Sequence, residues 1–137
     1  MATILLIEDN EANTKLAGLL LRKAGHSVLC AVDAETGVAM ARAKRPDLVL
    51  MDVQLPGMDG LAATALLKTH ADTAAIPVIA LTASAMKEDQ EKSELAGCDA
   101  YIAKPLRYQE LYATIDRLLL LGAGQLPSHR SARPATP

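Results

Sequence analysis

Tryptophan and phenylalanine are absent, and three tyrosines make up the whole aromatic content. Stacking of bases on exposed rings, a common grip on single-stranded nucleic acid, has almost no material here. An excess of one charge is also missing. Fourteen basic side chains face sixteen acidic ones, for a formal charge of −2. Arg130 and Arg133 sit in the last few residues, so the body before them is more acidic still. That sign gives no footprint for a phosphate backbone, and nucleic acid is not an expected partner. Cysteine is scarce. Cys30 and Cys98 are far apart, with no C-x-x-C pair and no Cys/His cluster at zinc spacing. A reduced compartment suits them, and both read as packing residues. His26, His70 and His129 have no partners at ligand spacing and read as incidental. No run approaches the roughly 18 apolar residues of a membrane-spanning helix. Met1-Ala2-Thr3 leads straight into an apolar stretch without the basic region of a signal peptide. The expectation is a soluble, cytoplasmic protein with no membrane partner.

What is present is apolar and regular. Half of the 137 residues are apolar and 22% are charged, enough to bury the core of one domain. Short apolar runs alternate with segments of helical period. The runs are Ile4 to Ile7, His26 to Ala31, Leu48 to Met51, Pro77 to Leu81 and Ala100 to Ala103. Between and after them, helices are predicted from about Asn10 to Ala24, from an Asp33 cap to Lys44, after Gly60 to Thr69, from Lys87 to Ala96 and from Arg107 to Leu121. Four of the five runs are continuous rather than alternating, the mark of a parallel sheet covered on both faces. The fold expected is α/β: a doubly wound, five-stranded, flavodoxin-like sheet in the order 2-1-3-4-5, spanning residues 2–121. Residues 122–137 are rich in Gly, Pro, Ser and Ala without period and read as a disordered tail.

Ligands of open α/β sheets bind at the carboxyl ends of the strands. Glu8 and Asp9 follow the first run, Asp52 the third, Thr82 the fourth and Lys104-Pro105 the fifth. Three carboxylates at close quarters repel one another. A hard divalent cation such as Mg²⁺ relieves that repulsion and leaves positions for phosphate oxygens. Lys104 supplies a point charge for a phosphoryl oxygen and Thr82 a hydrogen bond. Asp52 is then placed to act as a nucleophile toward phosphorus.

Glu8-Asp9-Asn10, Leu50-Met51-Asp52 with Pro56 and Gly60, Leu81-Thr82-Ala83, and Tyr101-Ile102-Ala103-Lys104-Pro105 occur in that order. Together they resemble the receiver domain of bacterial two-component response regulators, over about residues 2–121. Within that family the resemblance is to DivK-like single-domain receivers. It implies that Asp52 is the phosphoacceptor, supplied by a histidine kinase or a histidine phosphotransfer protein. It implies Mg²⁺ on Asp9, Asp52 and the backbone carbonyl of Gln54, with Glu8 completing the acidic pocket. Thr82 and Lys104 resemble the phosphate contacts, and Tyr101 the aromatic switch that follows Thr82. A cis Lys104–Pro105 peptide is implied as well. Glu8 stands where the family more often has Asp, and its longer arm is expected to reach the metal through water. Gln54 and Ser84 lie where members tune phosphoryl lifetime. The face of the fourth helix, fifth strand and fifth helix is implied as the site for a downstream protein target.

Blander readings compete with these. Asp9 alone would be a cap for the first helix, Asp59-Gly60 a turn and helix start, and Tyr101 an ordinary half-buried strand tyrosine. In the first helix, Ala12, Leu16, Ala17, Leu19, Leu20, Leu21 and Ala24 cover about half the circumference, more than the roughly 100° that a core needs. Either some are tolerated surface leucines, or Asn13 and Leu16 mark a docking patch for the phosphodonor. Among whole-protein alternatives, an aspartyl-phosphate phosphatase would resemble Asp-x-Asp, whereas Gln54 occupies the second acid's place here. A flavin-binding relative would need a phosphate-cradling loop after the first strand. A receiver excised from a hybrid histidine kinase or larger regulator would look the same. The chain is therefore expected to be a switch rather than an enzyme.

Overall fold

The computed structural model describes residues 2–83 and 86–124. Ten elements alternate along the chain: β1 (Thr3–Ile7), α1 (Glu11–Lys23), β2 (Ser27–Ala31), α2 (Ala34–Lys44), β3 (Leu48–Asp52), α3 (Gly60–Thr69), β4 (Val78–Thr82), α4 (Lys87–Ala96), β5 (Ala100–Ala103) and α5 (Tyr108–Gly124). The strands form one parallel sheet in the order β2-β1-β3-β4-β5. Strand side chains alternate between faces. Ile4, Leu6, Leu48, Leu50, Ile79 and Leu81 therefore pack toward α1 and α5, against Leu21, Leu111 and Ile115. Leu5, Ile7, Val49, Met51 and Val78 pack toward α2 and α3, against Ala41, Ala63 and Leu67. Burial of each large aliphatic side chain stabilises the fold by about 1.5–3 kcal/mol, so strands wet on neither face hold the centre of the sheet.

Helix starts are set by short polar side chains. Asn10 Oδ1 accepts from Asn13 N at 2.9 Å, Asp33 Oδ1 from Thr36 N at 2.7 Å and Asp59 Oδ1 from Ala62 N at 2.8 Å. The cap of α1 is thus Asn10, and Asp9 is left outside the helix. α4 ends at Gly97, whose φ of +104° suits a residue without Cβ. The Lys104–Pro105 peptide is cis.

Three expectations shift. β3 and β4 run one residue further than their apolar runs, so Asp52 and Thr82 are the last residues of their strands. α5 continues through Gly124, so residues 122–124 are helical rather than tail; extending a docked helix requires no new nucleus. The remainder of the expected tail, 125–137, with His129, Arg130 and Arg133, lies outside the described residues, as does Ser84. Cys30 faces solvent on the edge strand β2 instead of packing, whereas Cys98 packs against the α2/α3 face of the core. No helix among the described residues is long and apolar enough to cross a membrane.

Arg45, at the C-cap of α2, is held at φ 47° and ψ 65°, a left-handed conformation that costs an L-residue about 1–2 kcal/mol. Glycine relieves that cost but adds unfolded-state entropy of about 0.4–1 kcal/mol. Arg45→Gly should therefore stabilise the chain by about 0.5 kcal/mol, read as a higher urea midpoint at unchanged slope.

Candidate functional site

The strand register brings the chemistry-bearing residues to one edge. Ile7 pairs with Met51, Asp52 with Leu81, and Thr82 with Ala103. Glu8, Asp52, Thr82 and Lys104 therefore stand across neighbouring strand ends. Glu8 and Asp52 are each 3% exposed and Thr82 6%, although ionisable groups are costly to bury unpaired. Each is compensated. Lys104 Nζ lies 3.1 Å from Asp52 Oδ2 and 3.3 Å from Glu8 Oε1. Gln54 N donates to Asp52 Oδ1 at 3.0 Å, and Asn10 N to Glu8 Oε2 at 3.3 Å. Backbone bonds fix the frame: Glu8 N donates to Ala31 O at 3.0 Å, and Lys104 N to Thr82 O at 2.6 Å. Asp9 is exposed, and carboxylate oxygens of Glu8, Asp9 and Asp52 lie within 4.8 Å of one another.

Electrostatics follow from this crowding. Burial raises the Glu8 carboxyl above its ordinary range, and the hydrogen bond and negative charge of Asp52 raise it further, against the opposing pull of Lys104. Burial works to lower the Lys104 ammonium, but the hydrogen bond to Asp52 and the charges of Asp52 and Glu8 outweigh it and hold the group above its usual value. Three hard oxygen donors with one ammonium between them leave uncompensated negative charge. That donor set fits a hard divalent cation such as Mg²⁺ better than a thiophilic metal.

Tyr101, opposite Ala80 in register, is half-buried on β5. With Cys98, Asp99, Thr114 and Arg117 it lines a hollow of about 290 Å³ between α4, β5 and α5. Gln54 is exposed beside Asp52. Leu16 and Leu19 are 45% and 56% exposed on α1, while Ala17 and Leu21 face the core. His26 is not incidental: its Nδ1 accepts from Ala2 N at 3.1 Å and ties the entry of β1. The Cys98 thiol is pushed up to about 11 by burial and donates toward Thr64 Oγ1 at 3.9 Å.

The sequence places Gly60 in the motif that follows Asp52 and reads it as a turn and helix start, with no chemical role. In the fold, α3 starts directly against the backbone end of β3. Gly60 N donates to Val53 O at 2.9 Å. A Cβ at Gly60 would collide with the Asp52 carbonyl oxygen and lie 2.9 Å from Val53 Cα. Gly60 thus sets how closely α3 backs Asp52. Its only sequence signal is a glycine at a helix start eight residues after the acid, which is weak without coordinates.

The model of the response regulator receiver domain matches residues 4–116. The chain belongs to the response regulator receiver family. This receiver is 41% identical over 117 residues to the polar-differentiation response regulator DivK of Brucella anthropi, covering 85% of this chain and 95% of that one. Among solved structures it is similar to a response regulator from Chloroflexus aurantiacus (30% identity, TM-score 0.83, 86% and 97% of the two chains). It is also similar to the receiver domain of a sensor histidine kinase from Pseudomonas aeruginosa (36% identity, TM-score 0.81, 86% and 97%), a structure with magnesium coordinated in its active-site cleft. The receiver is a signalling domain of two-component systems, which pair a phosphodonor kinase with downstream targets.

A raised carboxyl binds more protons in the folded chain than in the unfolded one, so Glu8 lowers stability as pH rises above the ordinary Glu range. In a chelating buffer at neutral pH, Glu8→Gln should therefore raise Tm. The difference should vanish as pH falls toward 4, where the carboxyl is protonated in both states. A lower Tm at neutral pH would show that the Lys104 pairing outweighs the burial of Glu8.

Proposed function

We propose that the receiver is a phosphorylation-controlled switch in which Asp52 is the phosphoacceptor. The observation that supports this reading is the Lys104 ammonium shared between Asp52 and Glu8, beside Asp9, at one sheet edge. Asp52 Oδ2 attacks phosphorus of a phosphohistidine on a kinase or phosphotransfer protein. The O–P bond forms as the P–N bond breaks, and the departing imidazole nitrogen keeps the electron pair. Lys104, held in its charged form, follows the oxygen it already contacts and offsets charge on the phosphoryl group. Thr82, at the adjacent strand end, donates its hydroxyl to a phosphoryl oxygen, and Tyr101 follows that movement across to β5.

Mg²⁺ would be held by Asp9, Asp52 and the Gln54 carbonyl, with Glu8 completing the acidic shell; it supplies charge neutralisation of the phosphoryl oxygens. Nothing in this scheme requires turnover of a free substrate, so the chain works as an acceptor and switch rather than an enzyme. Output through protein contact on the face of α4, β5 and α5 is supported by the hollow there, which Tyr101 lines. Exposed Leu16 and Leu19 support α1 as the surface that meets the phosphodonor.

Incubation with acetyl phosphate followed by intact mass measurement tests the scheme. One phosphoryl adduct should appear, it should need Mg²⁺, and Asp52→Asn should lack it; an adduct that survives Asp52→Asn would overturn the assignment. Lys104→Met should slow acceptance by about 10²-fold, the usual loss of one preorganised charge-stabilising donor. Leu16→Asp should slow transfer from a phosphotransfer protein while leaving the acetyl phosphate rate unchanged, which separates docking from chemistry.

A further inference from the structure

The far end of α3 carries a polar cluster unrelated to the acidic site. Lys68 Nζ donates to Ile76 O at 2.7 Å, Asp99 Oδ2 at 3.0 Å and Ala74 O at 3.2 Å. Asp99 Oδ2 also accepts from Val78 N at 2.8 Å. The side chains are only 20% and 14% exposed. The stem of Lys68 fills the space beside Gly97, where an added Cβ would lie 2.9 Å from Lys68 Cγ. One lysine therefore joins α3, the entry of β4 and the turn from α4 into β5.

α4 buries little of its own surface. Ser93 is its one buried residue, Leu95 is 88% exposed, and Met86 provides no side-chain cap. Its C-terminal corner, Gly97 to Asp99, meets Lys68, and Cys98 and Asp99 line the hollow that also contains Tyr101. At its other end, α3 abuts the backbone of Asp52 through Gly60. The Thr64 hydroxyl donates to Gly60 O at 2.9 Å, and Cys98 Sγ donates toward Thr64 Oγ1 at 3.9 Å. A packed helix is stiff over its length. Here it runs from the phosphoacceptor to the corner that carries α4.

We propose that α3 and its terminal Lys68 form a second mechanical link between Asp52 and the α4–β5 corner, beside the Thr82–Tyr101 pair, with Lys68 as the positioning residue of the output hollow. This rests on Asp52 being the phosphoacceptor. The link makes the corner a bistable element biased by the state of Asp52. It predicts that Lys68 governs output without governing phosphoryl acceptance.

Cys98 provides a reporter inside the corner. In full-length protein carrying Cys30→Ser, it is the sole thiol, and its maleimide labelling, followed by mass, reads local opening. Beryllofluoride with Mg²⁺ serves as the phosphoryl mimic. The parent should change its labelling rate by about threefold or more on adding the mimic. Lys68→Met should label about tenfold faster and lose the response, at an unchanged acetyl phosphate rate, and Asp99→Asn should lose the response as well. Lys68→Arg, which keeps charge and donors, should keep it. A Lys68→Met response equal to that of the parent, or a parent that forms the acetyl phosphate adduct and shows no response, would overturn the link. Absence of any adduct on the parent would overturn the phosphoacceptor reading itself, and the link with it.

Discussion

Lys104 Nζ sits 3.1 Å from one buried carboxylate and 3.3 Å from another, and the chemistry of this receiver depends on how that ammonium is held. A lone positive charge does not balance Glu8, Asp9 and Asp52. The excess negative charge is stable only because each buried oxygen also has a fixed donor, Gln54 N for Asp52 and Asn10 N for Glu8. Those donors are backbone groups, positioned by the strand ends and the first turn of α1. The acidic site is therefore a property of the parallel sheet. Shifting one strand by one residue would move Asp52 or Lys104 to the opposite face and dissolve the cluster.

Much of this was legible without coordinates. Continuous apolar runs read as central strands because β3 and β4 are buried along their whole length. The Asp33 cap was legible because it uses a local device that tolerates few residue types. The acids and the lysine were legible by position, since each follows a strand in the proposed order. What escaped the reading lies in packing. That Asn10 is the cap of α1 escaped it, because neighbouring residues of equal capping power cannot be separated by pattern. Cys30 faces solvent because β2 is an edge strand and only Ala31 of it is buried, which an apolar count does not register. The extra turn of α5 carries two glycines, and propensity counts against it.

The packing roles of Gly60 and Lys68 also escaped that reading. Gly60 was legible as a motif residue and helix start, and Lys68 is an ordinary helix residue by sequence. One matters because a backbone passes where its Cβ would be, the other because three carbonyl or carboxylate oxygens converge on its amine. α3 thus has a site-facing end and a corner-facing end. This gives the fold two routes between its acidic edge and α4, one through neighbouring strands and one through a helix.

The claim beneath all of this is that the acidic edge carries an unbalanced charge that a hard cation satisfies. Calorimetric titration with Mg²⁺ tests it most directly. The account predicts one ion per chain, weakened by about tenfold or more in Asp9→Asn and in Asp52→Asn, and unchanged in Asp59→Asn, which caps α3 away from the cluster. Binding that Asp52→Asn leaves intact, or no binding at millimolar Mg²⁺ by a folded chain, would contradict it.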